Sequence, residues 1–195
     1  MQKLSNLDRK YEEFRWFFTS NNVLVVGGKN DEQNEVVLKE FLKPNYIIMH
    51  TTAPGSPFMI IQSDNPTKKD LEEAAIFCAC FSQQWKLGKK IIEIDVFKGE
   101  QVYKIKGMKT GTFGVKGDKK SVKVKPELVL VIQNGKLRAV PKTTIEQKLA
   151  DIKQGLLSKE QAAEKISKII RDKYQFPISK DEIMGAIPSD KLAVK

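Results

Sequence analysis

The apolar pattern of residues 14–27 predicts a β-hairpin near the start of the chain. Two runs rich in aromatic and branched residues flank Asn21-Asn22, and asparagine tolerates the positive φ that a tight hairpin turn requires. The second run ends at Gly27-Gly28, directly before a polar stretch.

Two helices are predicted in the first half of the chain. Asn30 or Asp31 caps the first, which spans about twelve residues with an apolar stripe, and Pro44 ends it. Thr67 caps the second, and its residues 74–81 are apolar on all sides, which indicates a central buried helix. Strands are predicted between the two helices at 46–51 and 57–62.

The pattern after Gly88 changes to short β runs, with Asn134-Gly135 as a strong hairpin signal. Lysine alternates with valine in 121–125, so one face of that strand is predicted to carry a lysine row and the other to join the core. The predicted strands are 90–97, 112–117, 120–125, 127–132 and 136–140.

The last part of the chain reads as helical. Helices are predicted at 144–154, after the capping box that begins at Ser158, and after Ser179. We therefore expect one module over residues 1–141 and a helical extension over 142–195. The predicted fold class is α+β, with a mixed, largely antiparallel sheet and two main helices before that extension.

Positive charge is concentrated in one fifth of the chain. The net charge is +10, and residues 86–125 hold twelve lysines and four acids. The other 155 residues carry a net charge of only +2. A basic cluster of this kind implies an acidic partner such as nucleic acid.

Several kinds of chemistry lack the residues they need. His50 is the only histidine, and Cys78 and Cys80 lie in the most apolar helix, where thiols stay neutral. The phosphate-loop and dinucleotide-binding spacings are absent. The longest apolar run is far too short for a membrane span, and the first residues lack a secretory core. We therefore expect a soluble, cytoplasmic protein that is not an enzyme and uses no cofactor or metal.

The stretch 103–125 combines lysines, four glycines and Phe113, which is typical of a groove for single-stranded nucleic acid. Lysines neutralise phosphates and an aromatic ring stacks on bases. The alternative is a solvated hairpin face with Phe113 in the core. The predicted contacts in this stretch are Lys104, Lys106, Lys109, Phe113, Lys116, Lys119, Lys120, Lys123 and Lys125.

Lys29 and His50 are two further candidate contacts. Lys29 follows two glycines before a helix start, where free N–H groups can hold a phosphate. Acids crowd the same turn, so helix capping is the favoured interpretation there. His50 ends a strand beside a loop, where either a structural role or an RNA contact fits. Trp16 and Trp85 are expected in the core or at its edge.

Four ordered blocks over about 105 residues resemble the NFACT-R domain. The string FRWFFTSNNVLVVGGKNDEQNE is similar to that family's W-F-x-T-S and G-G-[RK]-x-x-x-x-N-E elements. YIIMHTTAPGSPFMII, EAAIFCACFSQQWK and EQVYKIKGMKTGTFGVKG are similar to its later blocks. The matching motif positions, besides Lys29, His50, Lys104, Phe113 and Lys116, are Trp16, Thr19, Ser20, Gly27, Gly28, Asn34, Pro54, Gly55, Ser82, Trp85, Gly111 and Gly117.

This resemblance implies an RNA-binding module of a stand-alone type. Larger members of the family carry it beside other domains and act in ribosome-associated quality control, where they bind the large ribosomal subunit and tRNA. The sequence departs from the family pattern in two places, at Thr51-Thr52 in the His50 loop and at Asn22 in the hairpin turn.

Our hypothesis is a non-catalytic protein that binds tRNA or rRNA and, through it, the large ribosomal subunit. One alternative is a DNA-binding module. Another is a nucleic-acid-processing enzyme that uses His50 with Asn34. A third is a protein-interaction adaptor that docks through residues 142–195.

Overall fold

A computed structural model describes residues 6–144, 147–175 and 177–195. The strands are β1 (Arg15–Phe18), β2 (Leu24–Gly27), β3 (Ile47–Thr51), β4 (Met59–Ile61), β5 (Ile92–Lys98), β6 (Val102–Tyr103), β7 (Gly114–Val115), β8 (Lys120–Val124), β9 (Leu128–Gln133), β10 (Lys136–Pro141), β11 (Ala150–Leu157) and β12 (Leu192–Val194). The helices are α1 (Asp31–Phe41), α2 (Lys68–Cys80), α3 (Gln83–Lys86), α4 (Lys159–Tyr174) and α5 (Lys180–Ala186), with 3-10 turns at Asn6–Glu13 and Gly99–Gln101.

Two antiparallel sheets form the framework. The larger has the strand order β1-β2-β4-β3-β5-β8, and the smaller has the order β10-β9-β11-β12. A separate two-stranded ribbon pairs β6 with β7. Strands β1 and β8 form the two edges of the larger sheet, so the lysine-rich strand lies at an edge.

Helix α2 lies between the two sheets. Its side chains Ala74, Phe77 and Cys78 pack with Met49 of the larger sheet and Val131 of the smaller one in a single buried cluster. A helix that meets a sheet on each side must be apolar all round, because it has no face left for water. This confirms the predicted central buried helix.

The other face of the larger sheet is covered by α1 and the first 3-10 turn. Trp16, Val37, Ile48 and Phe97 belong to the cluster buried there, and Trp16 is only 1% exposed. Alternate residues of the same strands therefore serve two different cores, which follows from the period-two geometry of a strand.

A third cluster joins the smaller sheet to α4 and α5. Leu130 and Ile152 of the sheet pack with Ile166 and Ile183 of the helices. Trp85 of α3, which is fully buried, belongs to the same cluster, and its indole Nε1 donates a hydrogen bond to the carbonyl oxygen of Asp190 at 3.1 Å. Residues near the end of the chain thus pack directly against α3.

The turn and capping predictions are confirmed where they rest on local chemistry. Asn22 and Asn134 have φ values of 60° and 50°, as the two hairpin turns require. Asn30 caps α1, Thr67 caps α2 in a reciprocal box with Asp70, and Ser158 caps α4. Ser179 likewise accepts a hydrogen bond at the start of α5. No helix among the described residues is long and apolar enough to cross a membrane.

The predicted helix at 144–154 is wrong. Its described part contributes to β11, which pairs antiparallel with β9 through Ala150 and Ile152 and with β12 on its other side. Gly155 permits close pairing, since a Cβ there would lie 2.5 Å from the Cβ of Ala193. Residues on both sides of position 141 share this sheet, and the division of the chain at that position stays a prediction.

We expect Ile152→Ala to lower the free energy of unfolding by about 2–5 kcal/mol, because Ile152 is fully buried where β11 meets the C-terminal helices. Ile132→Ala is the matched control, since Ile132 is a strand residue that is 40% exposed, and its cost should be about 1 kcal/mol or less. Urea denaturation measures both. Equal losses would contradict the buried placement of β11.

Candidate nucleic-acid interface

A groove opens where four parts of the chain meet: the end of β3 with the loop after it, the start of α1, β5, and the 111–119 segment. It comprises two adjoining cavities of about 310 and 280 Å³, both lined by His50, Phe58 and Phe113, and we call it the His50 groove. Four separate parts of the chain therefore contribute to one concave surface.

Aromatic rings form the floor of the His50 groove. The His50 and Phe58 ring centroids are 4.6 Å apart, and Phe58 meets Phe113 edge-on at 5.4 Å. The Lys104 ammonium lies 4.6 Å from the centre of the Phe113 ring. Phe113 is half-buried, so it packs against the core and also lines the groove.

Glu35 of α1 holds the lysine-bearing segment in place. Its Oε1 accepts a hydrogen bond from the Gly111 amide at 2.7 Å and forms an ion pair with Lys104. The hydrogen bond from Lys104 lowers the pKa of Glu35. Lys104 also donates to the carbonyl oxygen of Lys109 at 3.2 Å. Glycine is needed at 111 because φ is +76° and a Cβ would lie 2.5 Å from the Cβ of Asp31.

Asp95 organises the opposite end of the groove. It accepts hydrogen bonds from Thr52 at 2.7 Å and Ser121 at 2.9 Å, and it forms an ion pair with Lys119. Burial acts to raise the pKa of Asp95, but these hydrogen bonds outweigh it, so the pKa lies below its ordinary value. The side chain is therefore a carboxylate that neutralises Lys119.

His50 is held as a neutral ring. Burial lowers its pKa, and Nδ1 lies 2.7 Å from the carbonyl oxygen of Thr51. A neutral imidazole adds no charge to the groove near pH 7, so any contact it makes there is a hydrogen bond or a stacking contact.

Several motif positions form or support the walls of the groove. Asn34 Oδ1 accepts from the Phe58 amide at 3.3 Å, and Gly28 packs so close to Asn34 that a Cβ would lie 2.4 Å from that oxygen. The Gly55 carbonyl oxygen accepts from the Gln83 amide at 2.7 Å, which joins the His50 loop to α3. Asn34 therefore helps to position Phe58 in the floor of the groove.

Other motif positions lie far from the groove and serve the fold. Thr19 and Ser20, in the turn after β1, donate hydrogen bonds to Asp70 and Glu73 of α2 at 2.5 Å each. Ser82 caps α3. The buried Trp16, Gly27 and Trp85 also lie outside the groove, whereas the exposed Pro54 and Gly117, whose φ is +69°, line it.

The predicted lysines do not all gather at one place. Lys104, Lys116 and Lys119 lie at or beside the groove, whereas Lys123 and Lys125 border a different cavity together with Lys142. His50 and Ser121 both pair with Asp95, so these three residues share one face of the sheet. Because side chains alternate along a strand, Lys123 lies on that same face of β8 and Lys120 lies on the opposite face. Lys125 forms an ion pair with Glu127.

Five of these lysines form no ion pair with any residue in the described ranges. Their charges face solvent without a fixed carboxylate, in contrast to Lys104 and Lys119. They are Lys106, Lys109, Lys116, Lys120 and Lys123.

Lys29 lies outside the His50 groove. Its ammonium donates to the carbonyl oxygen of Glu13 at 2.6 Å, and it lines a separate cavity beside Arg15. Arg15 and Arg138 are not among the predicted site residues, although each interrupts an apolar strand. Arg138 lies 4.5 Å over the Trp16 ring and donates to the carbonyl oxygen of Trp16.

The thiols of Cys78 and Cys80 are in an environment that keeps them protonated and unreactive. Both are fully buried, and burial raises the pKa of Cys78 to about 12. No group of three or more metal-ligating side chains occurs among the residues that the structure describes.

The chain matches a family model described as "NFACT protein RNA binding domain" over residues 13–117. It is 29% identical to the archaeal Rqc2 homolog aRqcH of Methanocaldococcus jannaschii over 96% of this chain and 30% of that protein. It is 35% identical to ribosome quality control complex subunit NEMF of Homo sapiens over 38% of this chain and 7% of that protein. The chain therefore spans less than a third of the length of these curated relatives.

Solved structures share the fold, and one of them comes from Streptococcus suis. The C-terminal part of the fibronectin/fibrinogen-binding protein from Streptococcus suis superposes with a TM-score of 0.53 and 20% sequence identity. The match covers 58% of this chain and 45% of that one, and at this identity the similarity concerns the fold alone.

The single histidine allows a direct test of its environment. We expect its imidazole NMR signals to titrate with a midpoint below 6.5, because burial disfavours the charged ring. Since the unfolded chain then takes up the proton more readily, the free energy of unfolding should fall as the pH drops below about 6.5. His50→Asn should remove this part of the pH dependence. A midpoint at or above 6.5 would contradict it.

Gly111→Ala should cost about 2–4 kcal/mol of stability, because it combines a left-handed backbone with a collision against Asp31. Gly88→Ala is a close control: its φ is +72° but a Cβ there meets nothing within 4 Å. Its cost should be about 1 kcal/mol, from backbone conformation alone. Chemical denaturation of both variants gives the difference, and equal costs would show that the 110–117 segment does not pack on α1 as described.

Proposed function

The chain belongs to the NFACT RNA-binding domain family, and on that basis we propose that it binds RNA through the His50 groove and the unpaired lysines beside it. The RNA is tRNA or ribosomal RNA. The proposed setting is ribosome-associated quality control, in keeping with the name of the human relative, and we place it on the large subunit of cytoplasmic ribosomes.

The arrangement of charge on the 104–117 segment carries this proposal. Glu35 and the close contact of Gly111 with Asp31 hold the segment against α1. Lys106, Lys109 and Lys116 extend from it without ion pairs among the described residues. A fixed loop that presents free ammonium groups contacts a phosphate backbone at little ordering cost.

Selectivity for particular RNA bases comes from the groove rather than from the lysines. Backbone contacts position a nucleic acid without reading its bases. The groove offers the edge of Phe113 and the neutral His50 ring, and unstacked bases bind to such rings by stacking and hydrogen bonding. An unpaired strand therefore fits this surface better than a duplex does.

We expect the triple variant Lys106→Gln, Lys109→Gln, Lys116→Gln to weaken binding of tRNA or an rRNA fragment. The log–log salt dependence should become shallower by about 2, since each contact to a single strand contributes about 0.7. Fluorescence anisotropy at several salt concentrations gives both the dissociation constants and the slope.

A triple variant of exposed lysines elsewhere, Lys68→Gln, Lys136→Gln, Lys168→Gln, removes the same charge and serves as the control. Equal weakening by both triples would mean that net charge alone attracts the RNA, and the proposed surface would be rejected. Duplex DNA of matched length is the competitor that separates RNA binding from DNA binding.

A further inference from the structure

A second cavity, of about 300 Å³, lies between β1, the turn before α1 and the start of α3. We call it the Arg15 pocket, and the residues of its lining that matter here are Arg15, Lys29, Ser56, Gln83 and Lys86. Ser189 near the end of the chain also lines it, so the C-terminal part helps to enclose it. Three basic side chains therefore border one small concave space.

Arg15 is the central group of this pocket. Its guanidinium lies 4.5 Å from the centre of the Phe81 ring, and burial lowers its pKa to about 10. Among the described residues, no carboxylate forms an ion pair with it. Arg15 is half-buried, and an arginine that loses part of its solvation is normally paired with an anion that replaces it.

Further cations surround Arg15. Arg15 acts electrostatically on Lys29, Arg138 and Lys159, and it lowers the pKa of each in addition to the effect of burial. Lys29 is held by a carbonyl oxygen rather than by a carboxylate. Carboxylates act in the opposite sense on the same groups, Glu13 on Lys29 and Asp190 on Lys159, but neither lines the pocket. An anion bound in the pocket would relieve the repulsion that remains there.

The lining favours an oxyanion with several acceptor oxygens. A guanidinium presents planar paired N–H groups that match phosphate geometry, and Lys86 adds an exposed ammonium. Ser56 and Gln83 supply a hydroxyl and an amide within the same lining. Asp31 is the one carboxylate there, which leaves the lining with an excess of positive charge.

The Arg15 pocket adjoins the His50 groove. Both are lined by Asn34, Gly55 and Ser56, so these residues form the ridge between the two spaces. A strand that lies in the groove therefore passes within reach of the pocket.

We propose that the Arg15 pocket binds one phosphate group of an RNA strand whose neighbouring nucleotides occupy the His50 groove. This inference rests on the proposed function for the identity of the ligand. Arg15 contacts two phosphate oxygens through its paired N–H groups, and Lys29 and Lys86 neutralise the remaining charge. The site takes either an internal phosphodiester or a terminal phosphate, since both present the same oxygens.

Two single variants test the pocket on the full chain. Arg15→Lys keeps the charge but loses the paired N–H groups, so affinity for RNA should fall about tenfold while the salt slope stays unchanged. Lys86→Gln removes an exposed charge without disturbing the fold, and the slope should become shallower by about 0.7. Lys136→Gln, which lies outside pocket and groove, is the control and should change neither.

Two RNA probes of the same sequence, one with and one without a 5′-phosphate, show whether the pocket binds an internal phosphodiester or a terminal phosphate. An Arg15→Lys effect on both probes identifies an internal phosphodiester, and an effect confined to the phosphorylated probe identifies a terminal phosphate. Unchanged affinity of Arg15→Lys and Lys86→Gln for both probes would overturn the proposal.

A measurement with pyrophosphate separates this inference from the proposed function. Pyrophosphate should raise the melting temperature of the unmodified protein, because a ligand of the folded state stabilises it, and should raise it less for Lys86→Gln. If RNA fails to bind but this difference is present, the proposed function fails and the phosphate pocket stands. If RNA binding depends on Lys106, Lys109 and Lys116 but neither pocket variant changes it, only the proposal of a phosphate pocket is rejected.

Discussion

Burial of α2 between the two sheets is the constraint on which the rest of the structure depends. Because this helix contacts both sheets, the strands that carry the groove and the strands of the C-terminal part share one apolar centre. The polar residues Asp70 and Glu73 in its first two turns have a separate role, since they bind the turn after β1. The position of β1, and with it Arg15, is therefore set by the same helix.

Carboxylates shape the candidate surface as much as lysines do. Glu35 and Asp95 each bind one lysine and also hold backbone or hydroxyl groups of the neighbouring segment. These two ion pairs reduce the local positive charge, yet they hold the loops that present the remaining cations. The fixed loops favour binding, because a preorganised loop loses little conformational entropy when the ligand binds.

Positive charge in the folded protein is distributed differently from charge along the chain. The segment 86–125 supplies the lysines of the groove, but part of its charge is neutralised and part lies at other edges of the sheet. Meanwhile Arg15, Lys29 and Lys159, from distant parts of the sequence, lie close enough to affect one another near a cavity that Ser189 also lines. A charge count along the sequence identifies the first group and misses the second.

The sequence alone determined the features that depend on near neighbours: the asparagine turns, the helix caps, the all-apolar α2 and the α+β class, together with the family to which the chain belongs. The tertiary structure alone decided that residues 150–157 form a strand, because β9 and β12 supply the hydrogen-bond partners that override a helical pattern. It also decided which lysines meet carboxylates and which cations surround Arg15. These outcomes depend on residues far apart in the chain, and no local pattern records the distances between them.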